Sequence, residues 1–225
     1  MTKIVGFHVD SDELLAGGGF LKLRRLRMRN QRDDGSLSEQ YCCDSMARPY
    51  GQDAVVVAVF ARGEHGVDVL LRDGLRPPIT LARSPAAAPL PEDPPGLFVT
   101  ELVAGIIETT DKGESGLRAR AAAEVLEEAG FVVDPACVML LGAGMFAAPG
   151  ALVEKEYFTA VEVEPAAQQP LAGDGSPMEE GATTRWLGLD DAIDACVRGD
   201  IVDMKTEACL RRLRDALARP VTPGS

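Results

Sequence analysis

Three glutamates, Glu124, Glu127 and Glu128, carry the strongest chemical signal in the chain. They sit in the run LRARAAAEVLEEA, residues 117–129, which is built from strong helix formers and stops at Gly130, a residue suited to a helix C-terminus. Spacings of three and four residues put all three carboxylates on one helix face, about a turn apart. Like charges so placed repel. Such a face is either fully solvated or holds divalent cations, and clustered oxygen ligands suit hard ions such as Mg²⁺ or Mn²⁺. Further acids occur in the late loop, Glu179 and Glu180, and before a later strand, Glu154. A carboxylate free of metal and able to swing over a water would serve as general base. Arg76, in Gly74-Leu75-Arg76-Pro77, could meet a phosphate as a charge-assisted pair or remain an ordinary surface arginine.

Other elements must hold these groups. Asp53–Ala61 (DAVVVAVFA) is a continuous apolar run that reads as a strand buried on both faces. Val67–Leu71 is a second strand, with His65-Gly66 in the turn between. Residues 77–96, with seven prolines, read as a loop, and Phe98–Val103 as a short strand ending at Ala104-Gly105. Val138–Leu141, Tyr157–Val163 and Arg185–Leu187 read as strands, 165–181 as a loop, and Asp190–Arg198 and Lys205–Ala218 as helices. Upstream, residues 1–19 end in a flexible triple glycine. FLKLRRLRMR (20–29) alternates apolar with basic residues as a half-exposed strand, and 37–46 is a return strand. The pattern is a mixed α/β or α+β layer structure.

The chain has 225 residues, enough for one domain and a small appendage. Its 46% hydrophobic and 26% charged content is ordinary for a globular protein. The net charge of −12 argues against attraction to nucleic acid or an anionic membrane, so a phosphate substrate would need a cation as intermediary. No apolar run reaches the ~18–20 residues of a membrane helix, and the N-terminus lacks the pattern of a secretory signal. The five cysteines contain no C-x-x-C spacing and read as free thiols of a reducing, cytoplasmic environment.

Residues 104–131 resemble the Nudix box, G-x5-E-x7-R-E-U-x-E-E-x-G-U, with U apolar. Gly105 opens the match, and Glu124, Val125, Leu126, Glu127, Glu128, Ala129, Gly130 and Phe131 complete it. The loop between is longer than the pattern. Glu114 best fills the first glutamate's place, nine residues from Gly105 and nine before Ala123. The box arginine is replaced by Ala123. Arg120, one turn before Glu124, is either its substitute or a solvent-facing residue. Over residues 20–217 the chain resembles the ADP-ribose and UDP-sugar pyrophosphatase branch: LFVTELVAG (97–105), Ala148-Pro149-Gly150, the acidic stretch 178–181 and GDIVDMKT (199–206).

The resemblance implies a Nudix α-β-α sandwich with a mixed central sheet, over 51–219. It adds a small N-terminal antiparallel β region over 1–50, exchanged in a homodimer; 220–225 would be a disordered tail. It implies a metal-dependent hydrolase of the diphosphate in a nucleoside diphosphate linked to a sugar. Metal would be held by Glu124, Glu127, Glu128 and the Ala104 carbonyl. Glu179 or Glu180 would be the base, with Arg76 and Glu154 at the substrate. The basic strand would meet the acidic partner subunit or lend an arginine to the phosphates. The alternative is a nucleotide-sugar binding or regulatory module, weakened in catalysis by Ala123.

Overall fold

The computed structural model describes residues 2–48, 52–64, 66–93, 96–171, 173 and 175–219. His65 and the expected tail at 220–225 lie outside the described residues. The chain divides into two compact units, residues 1–53 with 145–155, and residues 54–144 with 156–225.

The first unit is an antiparallel sheet of β1 (Ile4–Ala16), β2 (Lys22–Arg32) and β3 (Tyr41–Ala47), in that order. β1 lies upstream of the triple glycine, where no strand was singled out from the sequence. Its register with β2 shifts at three places, so its apolar residues do not alternate cleanly. The basic strand β2 finds its acids within its own sheet. Arg29 Nε lies 3.2 Å from Asp10, Arg25 Nε 2.7 Å from Asp44, and Arg24 pairs with Asp12. Three of its arginines are thus paired within the sheet. Met28 is the unit's buried apolar side chain among the described residues, while Ile4, Phe7, Val9 and Leu14 are half or more exposed.

The second unit contains β4 (Ala54–Gly63), β5 (Gly66–Leu75), the short α1 (Pro77–Ala82), β6 (Phe98–Glu101), β7 (Val103–Ile106) and α2 (Gly113–Ala129). After the two-residue strand β8 (Met139–Leu140), the chain passes through β9 (Met145–Phe146) in the first unit's segment 145–155 and continues with β10 (Lys155–Glu162), β11 (Thr183–Gly188), α3 (Leu189–Arg198) and α4 (Met204–Ala218). Helix α1 lies in the segment expected to be loop. Pro77 and Pro78 occupy its first positions, where a missing N–H costs nothing.

The sheet order is β11-β5-β4-β10-β8, with β4 and β10 parallel and the other pairings antiparallel. β4 and β5 pair only near their turn, at 60–63 and 66–69. Beyond it they diverge, and the segment 98–106 enters between them. β6 pairs with β5 and β7 with β4, so the expected single strand changes partners at Leu102. Alternation along β4 fills two cores. Val55, Val57 and Val59 pack with Ala121, Val125 and Ala129 of α2. Val56, Ala58 and Phe60 pack with Ile193 of α3 and Leu210 and Leu213 of α4. This unit is therefore a mixed sheet between helices, as expected. Among the described residues no helix is long and apolar enough to cross a membrane.

Candidate active site

Helix α2 runs four residues further upstream than the sequence indicates. Gly116 reads as a breaker, yet the helix needs glycine there, because a Cβ would meet the Asp111 backbone at 2.7 Å. The helix ends at Gly130 with φ +73°, and a Cβ there would collide with the Gln169 carbonyl. Both ends thus fix the rotation that turns Glu124 and Glu128 toward β7 and β5. Gly105 of β7 completes the approach. A Cβ on it would occupy the space of the Glu124 carboxyl.

Glu128 is held from two sides. One oxygen accepts the Ala104 N–H at 3.0 Å, and the other lies 3.0 Å from Arg72 Nη1. Arg72 follows Leu71 on β5, so alternation points it to the α2 side. It is 4% exposed, and its partner in the ladder with β6 is Glu101, 1% exposed. Arg72 also reaches Glu179 of the late loop, at 3.3 Å from Nη2. Glu101 pairs with Arg76 and accepts from Lys205 Nζ at 2.8 Å. Lys205 sits beside Asp203, which caps α4 through the Thr206 N–H at 3.0 Å; the Thr206 hydroxyl in turn accepts the Leu102 N–H at 2.9 Å. A chain of charges therefore runs from the start of α4 through the sheet to α2 and the late loop.

Burial shapes the electrostatics. It pushes the Glu124 carboxyl up to about 8, reinforced by the charges of Glu128 and Glu127. It pushes Glu128 up to about 7, against the lowering pull of Arg72 and the Ala104 N–H. Burial opposes the Lys205 ammonium, but Glu101 and Asp203 outweigh it and keep its pKa above the ordinary value. Arg120 does reach Glu124, at 3.8 Å, but its shorter contacts are 2.9 Å to Asp111 and 2.9 Å to Glu108.

A cavity of about 540 Å³ opens over this cluster, lined by Arg72, Glu127, Glu128, Ser176, Glu179 and Glu180 among others. The structure therefore gathers Glu124, Glu127, Glu128, Ala104, Glu179 and Glu180, with Arg76 reaching the cluster through Glu101. Of the expected residues, Glu114 is not gathered, and Glu154 falls in the other unit. Glu114 is exposed and 3.8 Å from Arg118. Glu154 belongs to the first unit and is paired there with Arg48. Sequence reasoning missed Arg72, Glu101 and the Asp111–Arg120 pair. The available signal was a charged residue in each of two apolar strands, VLLR and VTEL.

Among the described residues, no three His, Cys, Asp or Glu side chains converge on one point as metal ligands would. The donor set nevertheless fits a hard divalent cation. It is all oxygen, it clears a path at Gly105, and two of its carboxyls lack enough counter-charge to ionise at their ordinary pH.

No protein-family pattern and no curated protein matches the chain. Solved structures do. An ADP compounds hydrolase superposes with a TM-score of 0.65 at 12% identity, covering 96% of each chain. The Nudix domain of Shewanella oneidensis NrtR, complexed with ADP-ribose, gives 0.47 at 16% identity, over 75% of this chain and 89% of that one. A C. elegans Ap4A hydrolase gives 0.43 at 14% identity, over 74% and 97%. The mixed sheet held between α2 and the α3–α4 pair is the fold of the Nudix hydrolases.

Proposed function

We propose that the chain is a metal-dependent hydrolase of the diphosphate bond in a nucleoside diphosphate linked to a sugar, of ADP-ribose or UDP-sugar type, releasing a nucleoside monophosphate and a sugar phosphate. The observation that carries this reading is the buried pair Glu124 and Glu128, with carboxyls raised to about 8 and about 7 on one helix face beneath a polar cavity. Carboxylates kept against such a desolvation cost point to a cation partner. Glu124, Glu127, Glu128 and the Ala104 carbonyl would hold Mg²⁺ or Mn²⁺. When bound, the cation would neutralise the diphosphate and activate water as a Lewis acid.

The chain's own residues do the rest. Glu128 is steered by the Ala104 N–H and Arg72. Arg76, 35% exposed at its side chain, can offer a guanidinium to a phosphate while anchored on Glu101. Glu180 is exposed and lines the cavity, so it can swing to take a proton from the attacking water. Glu179, tied to Arg72, is less free to move. The reading extends to a cytoplasmic homodimer, with residues 1–50 as the region exchanged between subunits. Glu154 would contribute to substrate binding.

The test is hydrolysis of ADP-ribose and of UDP-glucose in parallel with millimolar Mg²⁺, with Glu128→Gln as control. Turnover of either substrate, lost in the variant, is the expected result. Metal binding without turnover would favour the binding-module reading, for which Ala123 speaks.

A further inference from the structure

We propose that Arg72 is the positioning residue that stands in for the arginine absent at Ala123, orienting Glu128 and Glu179 from the sheet rather than from the helix. The proposal rests on the metal-dependent hydrolase reading. Among the described residues, two guanidinium groups pair with Glu124 and Glu128. Arg120 gives its closest contacts, both 2.9 Å, to Asp111 and Glu108, and so serves the loop before α2. Arg72 gives its closest contacts to Glu128 at 3.0 Å and Glu179 at 3.3 Å, one on each terminal nitrogen. A planar guanidinium can bridge two carboxylates in this way, and a single ammonium cannot hold both in fixed geometry.

The bridge is itself held in place. Arg72 lies across the ladder from Glu101, 3.8 Å away, and Glu101 is clamped by Arg76 and Lys205. Arg72 Nε is buried with no hydrogen-bond partner. Arg72→Ala would remove the guanidinium that meets both Glu128 and Glu179.

The experiment compares wild type, Arg72→Ala, Arg72→Lys and the double variant Arg72→Ala/Ala123→Arg. Mg²⁺ binding is measured by calorimetry, folding by melting, and kcat and KM on whichever nucleotide sugar the wild type cleaves. Arg72→Ala is expected to weaken Mg²⁺ binding and lower kcat by about 10- to 100-fold each, with KM little changed. Arg72→Lys should recover little of either, and Ala123→Arg should restore most of both. Should Arg72→Ala fail to melt cooperatively, Arg72→Lys carries the comparison. Wild-type Mg²⁺ affinity in a folded Arg72 variant would overturn the proposal. So would a raised KM with unchanged kcat, which marks a substrate contact, or no rescue by Ala123→Arg. A wild type that neither binds Mg²⁺ nor turns over would instead overturn the hydrolase reading on which the proposal stands.

Discussion

At the scale of single residues, the raised carboxyls of Glu124 and Glu128 make a prediction with a definite sign. A carboxyl whose pKa is higher in the folded chain than the ordinary 4.5 favours the protonated fold. Its ionisation weakens the folded state as pH rises from about 4.5 towards 8. Each unit of elevation corresponds to about 1.4 kcal/mol. In chelator, the melting point should therefore fall between pH 5.5 and 8.5, and Glu124→Gln should flatten that slope. With Mg²⁺ the order reverses, because ligands must lose protons to bind, so the stabilisation by metal should grow over the same interval. A metal effect independent of pH would contradict the placement of these two groups. Gly105→Ala should remove the metal-induced stabilisation while leaving a cooperative transition, since the new methyl displaces the Glu124 carboxyl. The glutamates of α2 were legible in the sequence because helical spacing puts them on one face. Arg72 and Glu101 were not. Their significance arises from strands whose paired residues lie 29 positions apart in the chain, and a lone charge in a strand carries no record of its partner.

At the scale of elements, strands and helices with clean periodicity were legible, and those with mixed signals were not. β4 announced itself by unbroken apolar residues, and α3 and α4 by their helix formers. β1 was hidden by its three register shifts, and α1 by prolines that break a helix everywhere except at its start. The junction at Leu102 was hidden for another reason. Pairing with two strands in succession leaves the local sequence unchanged. The ends of α2 can be tested directly. Gly130→Ala forces a side chain into a left-handed conformation and into the Gln169 carbonyl. It should destabilise by about 2 kcal/mol or more in urea unfolding. Arg120→Ala should instead leave stability within about 1 kcal/mol, since its pairs are partly solvated. It should lower kcat several-fold by removing the side chain that reaches both Asp111 and Glu124. Unchanged kcat would show that Arg120 only tethers the loop.

At the scale of the whole molecule, the exposed apolar residues of β1 bear on assembly. Phe7 is 62% exposed and Leu14 57%. If the first unit is covered by a second copy, light scattering should give a dimer, and Phe7→Glu with Leu14→Glu should give a monomer of unchanged Mg²⁺ affinity. A wild-type monomer would remove the exchanged-region reading. The parallel pairing of β4 with β10 has a consequence of another kind. Ala54 lies opposite Glu156, and 156 − 54 = 102 residues separate them along the chain. On the ribosome, the most apolar strand of the protein emerges long before the strand that closes its far edge. During that interval a bare edge of Val55–Phe60 is open to any passing strand. Folding of this chain is thus a race between translation and self-association, decided at β10. A polypeptide ending before residue 155 should sediment as aggregate, whereas one extending through α4 should stay in the supernatant.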